Sequence, residues 1–185
     1  AVREMHRRLI RYRLQAVAMN QESVTVPYAD DESPNFAYFV YDGAPEWRGA
    51  NRPGTAGADG TVKIFPASLM TNLPIYHLIA NEQDVLNSQY NSGFNGVRMW
   101  GTLVYDDRVY DHIRFNNRGE ASTYVSGKNK WRFHFNRARD FEPRDSWGRK
   151  YREGWGSLDL DGCSSPWSAV NRGMSGLDEA ISFRV

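Results

Sequence analysis

Residues 95–135, NGVRMWGTLVYDDRVYDHIRFNNRGEASTYVSGKNKWRFHF, decide the fold of this chain. Apolar residues or glycine occupy every second position over residues 97–105, Asp106 and Asp107 interrupt the pattern before it resumes, and residues 130–135 alternate strictly. A period of two residues bounded by turn residues is typical of β-strands, and a two-residue turn joins antiparallel neighbours. The stretch therefore predicts three consecutive strands of an antiparallel sheet.

The rest of the chain adds helices, so the predicted fold class is α+β, an antiparallel β-sheet with a few flanking helices. Residues 2–20 place apolar side chains at spacings that approximate a helical stripe, with arginines opposite, and predict an amphipathic helix. Residues 73–80 predict a buried strand, and Asn81 is a candidate N-cap for a short helix over residues 82–90. A serine cap and an apolar face predict a last helix over residues 175–183.

Shorter elements are expected between these. Residues 36–41 and 62–65 are β-prone runs, and an edge strand is expected within residues 151–160. Residues 44–60 are rich in glycine and proline and show no periodicity, which indicates a long irregular loop.

The composition argues against some classes of function. The 185 residues carry a formal net charge of +1, from 23 basic and 22 acidic residues, which disfavours nucleic acid as a partner but allows a local phosphate site. No run of 18 apolar residues occurs, so no membrane span is expected. The aromatic share of 14% indicates either a β-rich core or a stacking surface for sugars or bases.

Metal-binding residues follow no motif. His77, His112 and His134 fall in different predicted strands, and nothing in the sequence places them together. The single cysteine, Cys163, has no matching histidine motif and suits a small buried residue. The sequence therefore predicts no metal site.

Four stretches in order resemble the CotH family, spore-coat-type proteins with an atypical protein-kinase fold. They are LPIYHLIANEQDV at residues 73–85, IRFNNRGEAS at 113–122, KNKWRFHF at 128–135 and DSWGRKYREGWGSLDL at 145–160. A helix near residues 177–185 would follow. The resemblance extends over about 110 residues and does not include the first 70.

The resemblance implies a kinase-like fold of which this chain carries the N-terminal lobe. Residues 1–70 would be an N-terminal extension, and residues 71–185 a CotH-like N-lobe truncated at its C-terminus. The family's catalytic base and metal-binding aspartates lie in a second lobe, so no catalytic residue is expected in this chain. The intact protein would be a secreted or cell-surface bacterial kinase that uses ATP and Mg²⁺, and its partners would be a protein substrate or a surface assembly partner.

The resemblance also implies a set of nucleotide-binding residues: Arg118, Gly119, Ser122, Lys128, Lys130 and Glu179. A kinase needs a fixed ammonium because the transferred phosphoryl group is anionic and the site is partly dry. Lys128 matches the family's first lysine, and Lys130, on the same strand face, could substitute for it. Glu179 is the expected carboxylate partner of that lysine.

The loop before the lysines would supply the other contacts. Arg118 could contact phosphate through its planar fork, Gly119 would let the backbone approach closely, and Ser122 could donate or cap. A plainer interpretation stays open, in which the two lysines are exposed strand residues and Arg118 pairs with an acid. The alternative function is a non-catalytic surface module for assembly or carbohydrate contact.

Overall fold

The computed structural model describes residues 7–41, 43–49, 63–72, 74–119, 129–145 and 147–161. The strands within these ranges are β1 Arg8–Tyr12, β2 Leu14–Val17, β3 Ser23–Val26, β4 Phe36–Val40, β5 Trp47–Gly49, β6 Lys63–Phe65, β7 His77–Ala80, β8 Met99–Tyr105, β9 Arg108–Asn117, β10 Trp131–His134 and β11 Ser157–Leu160. The helices are α1 Ala67–Met70 and α2 Glu82–Ser88, with a 3₁₀ turn at Ser92–Phe94.

Five strands form the main sheet in the order β11-β10-β9-β8-β7, and every neighbouring pair is antiparallel. Three further pairs, β1 with β4, β2 with β3 and β5 with β6, form two-stranded sheets. The predicted α+β class, an antiparallel sheet with few helices, is confirmed. Residues 95–135 supply β8, β9 and β10, as their alternation predicts.

The turn between β8 and β9 has the geometry that its sequence indicates. Asp106 takes φ 50° and Asp107 takes φ 60°, so both central residues are left-handed. Two left-handed residues match the twist of a hairpin, and aspartate tolerates this conformation better than most residues.

β9 carries one more residue than its partner at one point. Gly101 pairs with Ile113, and the next pair is Leu103 with Tyr110, which leaves two residues of β9 opposite one of β8. His112, one of these two, takes φ 51°. Such a β-bulge bends the strand and increases its local twist.

One face of the main sheet, the core face, is apolar. Its buried side chains form one cluster: Met99, Leu103, Tyr105, Tyr110, Ile113, Phe115, Phe133, Phe141 and Leu158. Phe141 belongs to the segment that follows β10 and packs against this face. Its ring centroid lies 5.2 Å from those of Tyr105 and Phe135. Full burial of such a side chain contributes about 2 kcal/mol. Gly101 is required here, because a Cβ would lie 2.9 Å from a backbone oxygen of β7.

The opposite face, the back face, is covered at one end by the β1–β4 strand pair, and we call this end the covered half. Arg11 of β1 donates three hydrogen bonds to Asp111 of β9, of which the two shortest are Nε to Oδ2 at 2.9 Å and Nη2 to Oδ1 at 2.8 Å. Thr102 also donates to Asp111, whose side chain is 3% exposed. Beside this partly buried ion pair, β4 faces Val104 and Val109 across a cavity of about 390 Å³.

The helix expected over residues 2–20 is wrong, because the described part of that range forms β1 and β2. β1 pairs with β4 along its whole length, and the ring of Tyr12 lies 5.4 Å from that of Phe36. The apolar spacing only approximates a helical period, and these distant contacts override a weak local preference. The separation of residues 1–70 as an extension stays a prediction.

The helix after β7 begins as predicted. The Asn81 side chain accepts hydrogen bonds from the backbone N–H groups of Gln83 and Asp84 and so caps α2. The strand expected over residues 73–80 is β7, a half-buried strand at the sheet edge rather than a fully buried one.

The shorter predicted strands at 36–41, 62–65 and 151–160 correspond to β4, β6 and β11. The loop expected over residues 44–60 contains β5, and its residues 50–60 lie outside the described residues, as does the helix expected over 175–183.

Candidate functional site

The other end of the back face, where β9, β10 and β11 lie side by side, carries most of its charge. Directly opposed residues of antiparallel strands share a face. Three rows cross the strands from β9 to β11: Arg114, His134 and Ser157; Asn116, Arg132 and Asp159; Arg118, Lys130 and Asp161. We call this surface the cationic half of the back face.

The third row holds two cations next to each other. Lys130 Nζ lies 2.9 Å from Asp161 Oδ2, and the lysine side chain is only 15% exposed. Arg118 Nη1 lies 3.8 Å from the same oxygen, and its Nε lies 3.3 Å from Asp159 Oδ2. Gly119 follows with φ 85°, a conformation that favours glycine and lets a ligand approach the backbone.

A bidentate ion pair fixes the second row. Arg132 donates from Nε and Nη2 to the two carboxylate oxygens of Asp159, at 2.7 and 2.8 Å. The hydrogen bond from Arg132 lowers the pKa of Asp159, against burial, which raises it. Asp159 is therefore ionised at neutral pH and holds the planar fork of Arg132 in one orientation.

The first row places an imidazole among arginines. Burial lowers the pKa of His134, and the positive charges of Arg98, Arg132 and Arg114 lower it further, whereas Asp159 raises it. His134 is therefore neutral at pH 7, and its pKa is sensitive to the charges of the cationic half.

The structure brings three of the six predicted site residues together, namely Arg118, Gly119 and Lys130. The plainer interpretation holds for Arg118, which pairs with carboxylates, but Lys130 is largely buried rather than an exposed strand residue. The remaining three predicted residues lie outside the described part of the chain: Ser122, Lys128 and Glu179.

The sequence analysis missed Asp159, Asp161 and Arg132. The signal for the two aspartates was present, because they alternate with Leu158 and Leu160. Alternation of this kind places both carboxylates on one face of a strand and both leucines on the other. The sequence does not show which strand this edge strand pairs with, and the structure places it beside β10.

Within the described ranges, no three histidine, cysteine, aspartate or glutamate side chains lie close enough together to hold a metal ion. The described helices also include none that is long and apolar enough to cross a membrane.

A second surface, separate from the sheet faces, exposes aromatic rings. Trp147 is 79% exposed, and the guanidinium carbon of Arg149 lies 5.3 Å from its ring centroid. Tyr151 and Trp155, which are also exposed, have ring centroids 5.4 Å apart. We call these four residues the aromatic surface.

No protein-family model matches the chain, and no curated protein sequence or solved structure matches it significantly. The resemblance to the CotH family therefore rests on the quoted motifs. Kinase function, ATP and Mg²⁺ as cofactors, a protein substrate and a secreted or cell-surface location stay predictions.

Proposed function

We propose that this chain is the nucleotide-binding, N-terminal part of a CotH-like protein kinase domain, which in the intact protein transfers phosphate from ATP to a secreted or surface protein. The observation that carries the proposal is the ammonium of Lys130, held 2.9 Å from Asp161 and next to Arg118.

A lysine that contacts nucleotide phosphates must be both charged and fixed in position. Asp161 provides the fixed position, because the ion pair restricts the long lysine side chain. An ammonium has three N–H donors, so one ion pair leaves donors for phosphate oxygens. In this proposal Asp161 has the role that the sequence analysis assigned to Glu179.

Arg118 and Gly119 supply the second part of the proposed phosphate site. The guanidinium of Arg118 has five donors and can bind phosphate while it keeps its contact with Asp159. The left-handed backbone at Gly119 follows directly and offers a close approach without a Cβ. The two cations and the glycine thus suit the triphosphate of ATP.

Mg²⁺ enters the proposal together with the phosphates. This ion typically binds through phosphates and one or two carboxylates. Asp159 and Asp161 are the nearby carboxylates, but both already hold cations. The proposal therefore assigns the protein ligands of Mg²⁺ and the catalytic base to a C-terminal lobe of the intact protein.

Titration calorimetry with ATP and Mg²⁺ tests the proposed phosphate site. We expect Lys130→Ala and Arg118→Ala each to weaken ATP binding by about tenfold or more, because each removes a charge-assisted contact. Lys150→Ala is the matched control. Lys150 also forms an ion pair, 3.0 Å from Glu142, but lies away from the cationic half.

The same titrations on the intact protein separate weak binding by an isolated lobe from a wrong site. Unchanged ATP affinity in Lys130→Ala, in both the chain and the intact protein, would contradict the proposal. Equal losses in Lys130→Ala and Lys150→Ala would indicate a general effect of charge rather than a site.

The aromatic surface supports the alternative function, a non-catalytic module for assembly or carbohydrate contact. Exposed aromatic rings suit the apolar faces of sugars. The two functions predict that different variants lose binding. If Trp147→Ala abolishes retention on a polysaccharide while Lys130→Ala leaves ATP affinity unchanged, the module is the better description.

A further inference from the structure

We propose that Arg114 and Arg132 of the cationic half, together with Arg98 just before β8, form a second anion site. This site binds a phosphorylated serine or threonine in an extended segment of a partner protein. The site includes neither Arg118 nor Lys130. It can therefore be tested independently of the ATP site proposed above.

The three arginines converge on one place. Arg114 lies directly opposite His134 of β10 on one side and opposite Trp100 of β8 on the other. Arg132 is two residues before His134 on the same strand face, and Arg98 is two residues before Trp100. The effect of all three charges on the pKa of His134 supports this convergence independently of the strand register.

Positive charge at this place is not balanced by nearby carboxylates. Among the residues that the structure describes, Arg98 and Arg114 make no ion pair, and both side chains are exposed. Arg132 shares one carboxylate, that of Asp159. In the covered half of the same face, by contrast, Arg11 pairs with the buried carboxylate of Asp111.

A phosphate monoester matches this arrangement better than other anions do. It carries nearly two charges and three acceptor oxygens, so it can accept hydrogen bonds from more than one guanidinium. A carboxylate is a single charge that suits one fork. A nucleic acid backbone needs cations spread along a track, whereas these three lie at neighbouring positions on one sheet face.

Trp100 indicates that the phosphate belongs to a protein segment. Its ring is 54% exposed, stacks on His112 at a centroid distance of 4.6 Å and lies opposite Arg114. A flat apolar surface next to an arginine cluster can hold the side chain adjacent to a phosphorylated residue. Recognition of phosphorylated motifs by arginine clusters is a common mode of peptide binding.

Fluorescence polarisation with the full chain tests the site. The probe is a short labelled peptide with one phosphoserine next to a tyrosine, and the reference is the same peptide without phosphate. We expect the phosphopeptide to bind at least tenfold more tightly, and Arg98→Gln and Arg114→Gln each to weaken it about tenfold. These two arginines are chosen because their loss breaks no ion pair among the described residues.

Two controls make the result specific. Arg139→Gln removes an exposed arginine outside the cationic half and should leave phosphopeptide affinity unchanged. ATP affinity should be unchanged in Arg98→Gln, which separates this site from the proposed nucleotide site. In the wild-type chain, bound phosphopeptide should raise the pKa of His134 in an NMR titration, because the dianion offsets the surrounding arginines.

Three outcomes would overturn the inference. One is equal binding of the phosphorylated and unphosphorylated peptides. Another is full phosphopeptide affinity in folded Arg114→Gln, with folding checked by circular dichroism. The third is tighter binding of inorganic phosphate or of a single-stranded oligonucleotide than of the phosphopeptide, which would identify a free-phosphate or a nucleic acid site.

Discussion

The covered half and the cationic half lie on the same face of one sheet and share β9, but they differ in how charge is used. In the covered half, Arg11 reaches from β1 to Asp111, and water is excluded from the carboxylate. In the cationic half, Arg132 and Asp159 form an equally good pair that stays partly exposed, beside arginines with no carboxylate.

The difference separates charges that hold the fold from charges that are available to a ligand. Removing one partner of a buried pair leaves an uncompensated charge and is strongly destabilising. Partly exposed pairs contribute little to stability because water and salt screen them. The covered half is therefore expected to respond to mutation through stability, and the cationic half through binding.

The largest effect is expected for Arg11→Ala in the covered half. This variant leaves the buried carboxylate of Asp111 with only Thr102 as a side-chain partner. We expect a loss of about 2 kcal/mol in the free energy of unfolding, less than for a fully buried pair because half of the Arg11 side chain is exposed. Urea denaturation followed by tryptophan fluorescence measures it.

The control for this variant is Arg13→Ala. Arg13 is exposed and donates to the backbone oxygen of Pro34 and to Asn35. Its loss should change the free energy of unfolding by at most about 0.5 kcal/mol. If the two variants are equally stable, the ion pair between Arg11 and Asp111 does not stabilise the packing of β1 and β4 on the sheet.

A smaller effect is expected from acid in the covered half. Burial raises the pKa of Asp111, but hydrogen bonds from Arg11 and Thr102 outweigh it, so the pKa lies below its ordinary value of 3.8. A depressed carboxyl pKa adds stability that is present above the ordinary pKa and is lost as the pH falls through the folded-state pKa.

Urea titrations of the wild type and Asp111→Asn at several pH values measure this contribution. The stability advantage of the wild type should be constant at neutral pH and should shrink as the pH falls below about 4. An advantage that grows in acid would mean that the folded-state pKa of Asp111 is raised rather than lowered.

The smallest effect on stability is expected for Asp159→Asn in the cationic half. The midpoint of urea denaturation should not change measurably, because Arg132 remains solvated without its partner. The pKa of His134 should fall, since Asp159 is the negative charge that raises it. An NMR titration that shows a higher pKa in this variant would contradict the charge arrangement described for the cationic half.

The central strands could be predicted from the sequence because their signal is local. Alternation of apolar residues and the Asp106-Asp107 turn define β8 and β9 without reference to distant residues. β1 was mistaken for a helix because its structure depends on β4 and on Asp111, which lies 100 residues away. No local periodicity encodes such a contact.

The candidate site was predictable to a similar extent. Arg118, Gly119 and Lys130 come together because they lie at the ends of adjacent strands, and that adjacency follows from the predicted hairpins. The carboxylates that hold the cations come from β11, whose position in the sheet the sequence does not specify. The arginines around His134 could have been found from alternation, but that Arg132 has a carboxylate partner and Arg98 and Arg114 have none among the described residues is a property of the folded chain.

The bulge in β9 decides which side chains reach which face. Tyr110 points into the core before the bulge, and Phe115 does so after it, an odd number of positions later. Strict alternation from Tyr110 would have directed Arg114 inward and Phe115 outward. Loss of the bulge with His112 still in place would therefore exchange the inside and outside of the strand. Deletion of His112 would instead give regular alternation, with Phe115 still inside and Arg114 still outside. The fold thus depends here on the number of residues as much as on their identity.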